Sequence, residues 1–140
     1  MKENNLQKSL LALRYGVFIV MFVWTVDKFL NPVHTGKVFQ KFYLIEGLSS
    51  AFSYTLGALQ LALVLGFILG FKKRLTYGAI LLMHTISTFS SYEMYLNPWS
   101  QGKLLFFAAW PMLAAIYALY LMREEDTLLT IGNMSLKNKV

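Results

Sequence analysis

Four apolar runs, at residues 10–30, 51–71, 75–96 and 104–122, occupy most of the chain. Each is close to the roughly 20 residues that cross a hydrocarbon core of about 30 Å. Helix is the form such a run takes in lipid, because a helix satisfies every backbone N–H and C=O within the segment itself. Composition points the same way: 56% of the residues are hydrophobic and 14% charged, where soluble domains are roughly 45–50% apolar even with glycine counted. The expected fold is all-α, an integral membrane four-helix bundle forming one domain over residues 1–140. Its helices are expected at about 9–30, 51–71, 75–96 and 103–122, with 123–140 as a cytoplasmic tail that could dock a partner or stay mobile.

The charges orient that threading. Nine of the thirteen Lys and Arg residues fall on one side of it: Lys2, Lys8, Arg14, Lys72, Lys73, Arg74, Arg123, Lys137 and Lys139. Lys28, Lys37, Lys41 and Lys103 fall on the other. The positive-inside bias then predicts a multi-pass protein of the cell (inner) membrane with both termini cytoplasmic. Arg14 is expected to snorkel to the cytoplasmic surface. It interrupts the first run and no small-residue cleavage site follows, so that run reads as a retained helix and not a signal peptide. The net charge of +6 thus points to a bilayer as partner and not to nucleic acid. The chain has no cysteine, which excludes disulfide, thiol-relay and thiolate-held iron–sulfur chemistry of its own.

One motif occurs twice. "DKFLNP", Asp27 to Pro32, is echoed by "EMYLNP", Glu93 to Pro98, and the echo continues through Gly36-Lys37 and Gly102-Lys103. The offset is 66 at both the acids (93 minus 27) and the asparagines (97 minus 31). Each copy closes one helix and opens the next, since Asn-Pro stops a helix and restarts one. Two spans per copy predict two tandem helical hairpins, a parallel repeat about an axis along the membrane normal. The first copy carries an extra "VFQKFYLIEGLSS", where Val38, Phe39, Phe42 and Tyr43 oppose Gln40 and Lys41. That spacing predicts a short amphipathic helix lying in the outer interface. Ala58, Ala62, Gly66 and Gly70, spaced by four, predict a small-residue packing ridge.

Ionisable and strongly polar residues inside membrane segments are the candidate site. Asp27 and Glu93 are expected to face each other across the repeat axis, where two carboxylates could share a proton, bind a cation or accept from a quinol. They could equally serve the Asn-Pro turns or pair with Lys28. His84, Thr88 and Ser91 form a polar stripe on the third helix, fit either to hold a quinone and shuttle protons or to bridge helices by hydrogen bonds. Gln60, in the middle of the second helix, needs a partner within the bundle, and His84 or the polar end of the third helix is the expected one. His34 reads as a solvated loop residue. A metal site is not expected, for no ligand spacing supports one.

The order of these features resembles the DoxX-like family of small four-helix membrane proteins (the DoxX/DoxD group). "LRYGVFIVMFVWTVDKFLNP" is similar to that family's first helix, and "LGALQLALVLGFILGFKKRLTYGAILL" to its second helix, basic turn and third-helix start. The likeness spans roughly residues 10–120 and carries Arg14, Lys28, Asn31, Pro32, Gly66, Gly70 and Arg74 onto family positions. Gln60 departs from it, standing where many members have Glu. The resemblance implies a subunit of a quinone-linked redox system with quinone as the ligand, no covalently bound cofactor and no redox centre of its own. A partner protein subunit or homo-oligomer would then complete it. A non-catalytic scaffold of a membrane complex and a small transporter or lipid-binding protein are the other readings.

Overall fold

The computed structural model describes residues 2–131, with side chains from Asn4 onward; residues 132–140, with Lys137 and Lys139 of the expected tail, lie outside the described residues. All of the described regular structure is helical. Helix α1 (Lys2–Leu30) ends at Asn31, which the following proline drives out of the α region to φ −131°, ψ 65°. Pro32 then takes the first position of α2 (Pro32–Tyr43), where its missing N–H is no loss. Helix α3 (Ser50–Ile68) is capped by the Ser49 hydroxyl, which accepts from the Phe52 N–H at 3.3 Å. Gly70, at φ 64°, closes its far end in a Schellman turn, with Phe71 N–H to Gly66 O at 2.8 Å and Gly70 N–H to Phe67 O at 3.0 Å.

The third apolar run does not form one rod. Helix α4 (Lys73–Ser90) breaks at Ser91 from a short α5 (Tyr92–Leu96). The fourth begins as a 3₁₀ helix, Lys103–Ala108, before α6 (Ala109–Leu121). Pro111 accounts for that tighter start, since it can donate no α-helical bond to residue 107 and its ring crowds that carbonyl. The two motif copies match at their asparagines: Asn97 lies at φ −136°, ψ 71°, within a few degrees of Asn31. They diverge at the glycines, for Gly36 sits inside α2 while Gly102 turns the chain at φ 79°.

Helix α1 packs on α3 and α6, and α4 packs on the same two, so α1 and α4 face each other across the middle. Toward the chain termini the centre is solid, filled by Leu10, Val64, Phe67, Tyr77, Ile116 and Leu119 among others. Toward the Asn-Pro turns it is hollow. Ser53 ties three helices together there, its hydroxyl lying 2.8 Å from the Lys28 carbonyl of α1 and 2.9 Å from the Thr35 hydroxyl of α2.

Three helices, Asn4–Leu30, Ser50–Ile68 and Lys103–Leu121, are long and apolar enough to cross a membrane. The expected fourth, α4, is not among them, because it opens on Lys73 and Arg74 and holds Thr76, His84 and Thr88. Those three polar side chains are buried, while Leu75, Leu82, Ile86 and Phe89 of the same helix are exposed by about half or more. Polar in and apolar out is the reverse of a water-facing helix. The small-residue ridge is corrected in part. Ala58 and Ala62 are exposed, while Gly66 and Gly70 of the expected ridge do make close approaches, a Cβ standing 2.9 Å and 2.6 Å from the Thr76 and Thr130 methyls, and Gly57 makes a further one, 3.0 Å from the Phe29 ring.

Residues 123–131 are docked, not a free tail. Asp126 is fully buried, its carboxylate 3.2 Å from the Arg14 guanidinium and 2.7 Å from the Tyr77 hydroxyl that donates to it. Arg14 also donates to the Leu128 carbonyl, Lys73 to the Asp126 carbonyl at 2.7 Å, and the Ile131 N–H to the Leu69 carbonyl at 2.9 Å. Arg14 is therefore buried and ion-paired and does not snorkel. A guanidinium away from water needs a carboxylate, and the returning segment supplies one.

Candidate functional site

The hollow half of the molecule is a cavity of about 950 Å³. Its walls are mostly apolar, from α1, α2, α3, α4 and the 3₁₀–α6 segment. The short amphipathic helix expected here is α2, and its apolar face, Val38, Phe39, Phe42 and Tyr43, lines this cavity. The extra 13 residues of the first copy (38–50) make this possible, since they lengthen α2 and give it a connection back to α3.

Of the expected site residues, Asp27, Gln60, His84, Thr88 and Ser91 all line the cavity, and Glu93 does not. Asp27 and Glu93 are not brought together. The Asp27 carboxylate takes the Asn31 amide at 3.0 Å and pairs with the His34 ring at 2.5 Å; His34 is exposed as expected, but it sits on α2 at the cavity rim and not in a loop. Glu93 is exposed, with the Tyr92 hydroxyl at 3.4 Å. The copies differ because α2 follows the first motif and brings His34 back over Asp27, whereas the second motif turns straight into the 3₁₀ helix.

The polar stripe of α4 lies where it was expected, but its hydroxyls are turned onto their own helix. Thr88 donates to the His84 carbonyl at 2.7 Å, Ser91 to the Ser87 carbonyl at 3.0 Å, and Tyr95 to the Thr88 carbonyl at 3.0 Å. This is the ordinary resolution for hydroxyls without water. Thr25 of α1, 66 residues before Ser91, does the same: it is buried and donates to the Met21 carbonyl at 2.7 Å.

His84 and Gln60 differ. No hydrogen bond joins them, which corrects the expected pairing. Nε2 of His84 lies 3.0 Å from the Ala109 carbonyl, and its Nδ1 is buried without a partner among the described residues. Gln60 is 4% exposed, and its amide makes no hydrogen bond to the described residues. Buried polar groups are nearly always satisfied, and of the four buried side-chain atoms without a partner among the described residues (Arg14 Nε, His84 Nδ1, Arg123 Nε and Asp126 Oδ1) only His84 Nδ1 belongs to a residue of the cavity wall; with the unbonded Gln60 amide it gives the cavity two polar groups to offer an occupant. Comparison with models of known protein families, with curated proteins and with solved structures gives no match.

Sequence reasoning missed Trp24 as a cavity wall. Its ring centroid lies 6.4 Å from that of His84. It also missed the Arg14–Asp126–Tyr77 cluster. The only sign of that was an arginine inside an apolar run, which calls for an acid somewhere in the chain. Among the described residues no three His, Asp or Glu side chains come together as a metal would need.

Proposed function

We propose that this chain is a multi-pass membrane protein that binds a quinone-type molecule, an apolar tail with a small polar ring, in the cavity between its helices. In this reading it is a subunit of a quinone-linked redox system, with no redox centre in its own side chains, and electrons come from a partner. The observation that carries it is the pair of unsatisfied groups, His84 Nδ1 and the Gln60 amide, on one mostly apolar cavity of about 950 Å³. Pockets for such ligands are apolar with a few placed polar groups.

Helix α4 crosses the bilayer with the other three in this reading, its exposed Leu75, Leu82, Ile86 and Phe89 meeting lipid. The equal backbone at Asn31 and Asn97 supports two parallel hairpins related by a two-fold axis. Both termini and "KKR" face the cytoplasm, and the cavity lies in the outer half. The solid, segment-closed inner half weighs against a small transporter, which needs access from both sides.

Gly16 offers a test. It lines the cavity, and a Cβ built on it meets nothing within 4 Å. Gly16→Trp should therefore fill cavity space without disturbing the fold. Protein purified in mild detergent from quinone-containing membranes is extracted and its quinone measured. The wild type should retain it, and Gly16→Trp should lose at least fivefold at unchanged gel-filtration elution. A wild type without quinone, or a variant that keeps it all, refutes the proposal.

A further inference from the structure

We infer that the cavity selects a ligand whose polar head is a hydrogen-bond donor, an aromatic hydroxyl on an apolar tail, so that of a quinone couple it holds the reduced quinol. The inference rests on the proposed site and adds its selectivity. It begins at the Ala109 carbonyl, 3.0 Å from Nε2 of His84. A carbonyl oxygen can only accept, so the imidazole proton is assigned to Nε2. A neutral imidazole then presents Nδ1 as an acceptor, and that atom is buried with no partner among the described residues.

No donor of the described residues reaches Nδ1. The Thr88, Ser91 and Tyr95 hydroxyls donate to carbonyls of α4, and the Lys28 ammonium donates to the Trp24 carbonyl at 3.2 Å. A ligand carbonyl brought to Nδ1 would set two acceptors against each other, while a ligand hydroxyl satisfies it. Gln60 does not remove the preference, since its amide both donates and accepts and suits either redox form. The ring follows from the walls. Trp24 lies 6.4 Å from the His84 ring and Phe42 lies 6.0 Å from Phe106, and all four side chains line the cavity. Such aromatic surfaces favour a flat partner.

The test uses the full chain in detergent micelles under anaerobic conditions, titrated with decylubiquinol, decylubiquinone and 1-decanol. The wild type should bind the quinol at least tenfold more tightly than the quinone, and 1-decanol at least tenfold more weakly than the quinol. His84→Gln keeps a side-chain donor toward the Ala109 carbonyl and replaces the accept-only Nδ1 by an amide that both donates and accepts, so it should bring quinol and quinone to within twofold. Quinone binding as tight as quinol in the wild type overturns the inference and leaves the cavity a quinone site. Binding of neither overturns the site itself. A preference kept in full by His84→Gln shows that Nδ1 is not its source, and 1-decanol matching the quinol removes the aromatic requirement. Should His84→Gln fail to fold, the wild-type comparison with ¹⁵N-labelled histidine decides: His84 Nδ1 should shift with quinol and not with quinone.

Discussion

Removing the Asp126 charge should destabilise the protein more than any exposed substitution. Both partners of the Arg14–Asp126 pair are fully buried, with Nη1 and Oδ2 3.2 Å apart, and Tyr77 donates to the same carboxylate oxygen at 2.7 Å. Asp126→Asn preserves volume and an acceptor for Tyr77 but leaves the Arg14 charge buried and uncompensated. Breaking a buried pair from one side costs about 3–5 kcal/mol. Replacing both charges, Arg14→Met with Asp126→Leu, removes that penalty, takes a donor from the half-buried Leu128 carbonyl and strands the Tyr77 hydroxyl, the last worth about 1–3 kcal/mol. Adding Tyr77→Phe should bring the triple variant near the wild type. Reversible unfolding in mixed micelles, followed by circular dichroism, reads these differences. Limited trypsin digestion reads the docked segment, which should be cut faster at Arg123 in Asp126→Asn only. The reasoning fails if Asp126→Asn costs less than about 1 kcal/mol, or if the double variant is less stable than the single.

Two glycines with positive φ should respond unequally to alanine. At Gly70 (φ 64°) a Cβ would stand 2.6 Å from the Thr130 methyl, whereas at Gly102 (φ 79°) it meets nothing within 4 Å. Gly102→Ala should cost only the backbone strain, about 1–2 kcal/mol, and Gly70→Ala about 1–3 kcal/mol more from overpacking, read in the same unfolding assay. Reporter fusions after Lys73 should be active in the cytoplasm and fusions in 32–41 outside it; a fusion after Lys73 reporting from outside refutes the topology.

The sequence by itself determined the helical class, since long apolar runs have no other way to satisfy their backbone in lipid. It also determined the punctuation. Pro32 and Pro98 act through their own φ, so the turns at 31–32 and 97–98 were readable without any partner, whereas the turn at Gly70 was not read, that glycine having been placed on a packing ridge within the helix. Gln60 and His84 were legible as candidates for a related reason: a strongly polar side chain in an apolar run stands out wherever it ends up pointing. What the sequence did not decide was direction. A membrane helix is apolar toward both lipid and neighbours, so Ala58 and Ala62 could be placed on a packing face that they do not occupy, and the inward faces of Trp24 and α2 went unread. Nor did it decide pairing. Asp126 meets Arg14 from 112 residues away (126 minus 14) because the chain folds back across the end of the bundle. Asp27 and Glu93, alike in the motif, part company because α2 covers one copy and not the other. Each of these outcomes belongs to contacts between segments remote in the chain, and local chemistry holds no record of them.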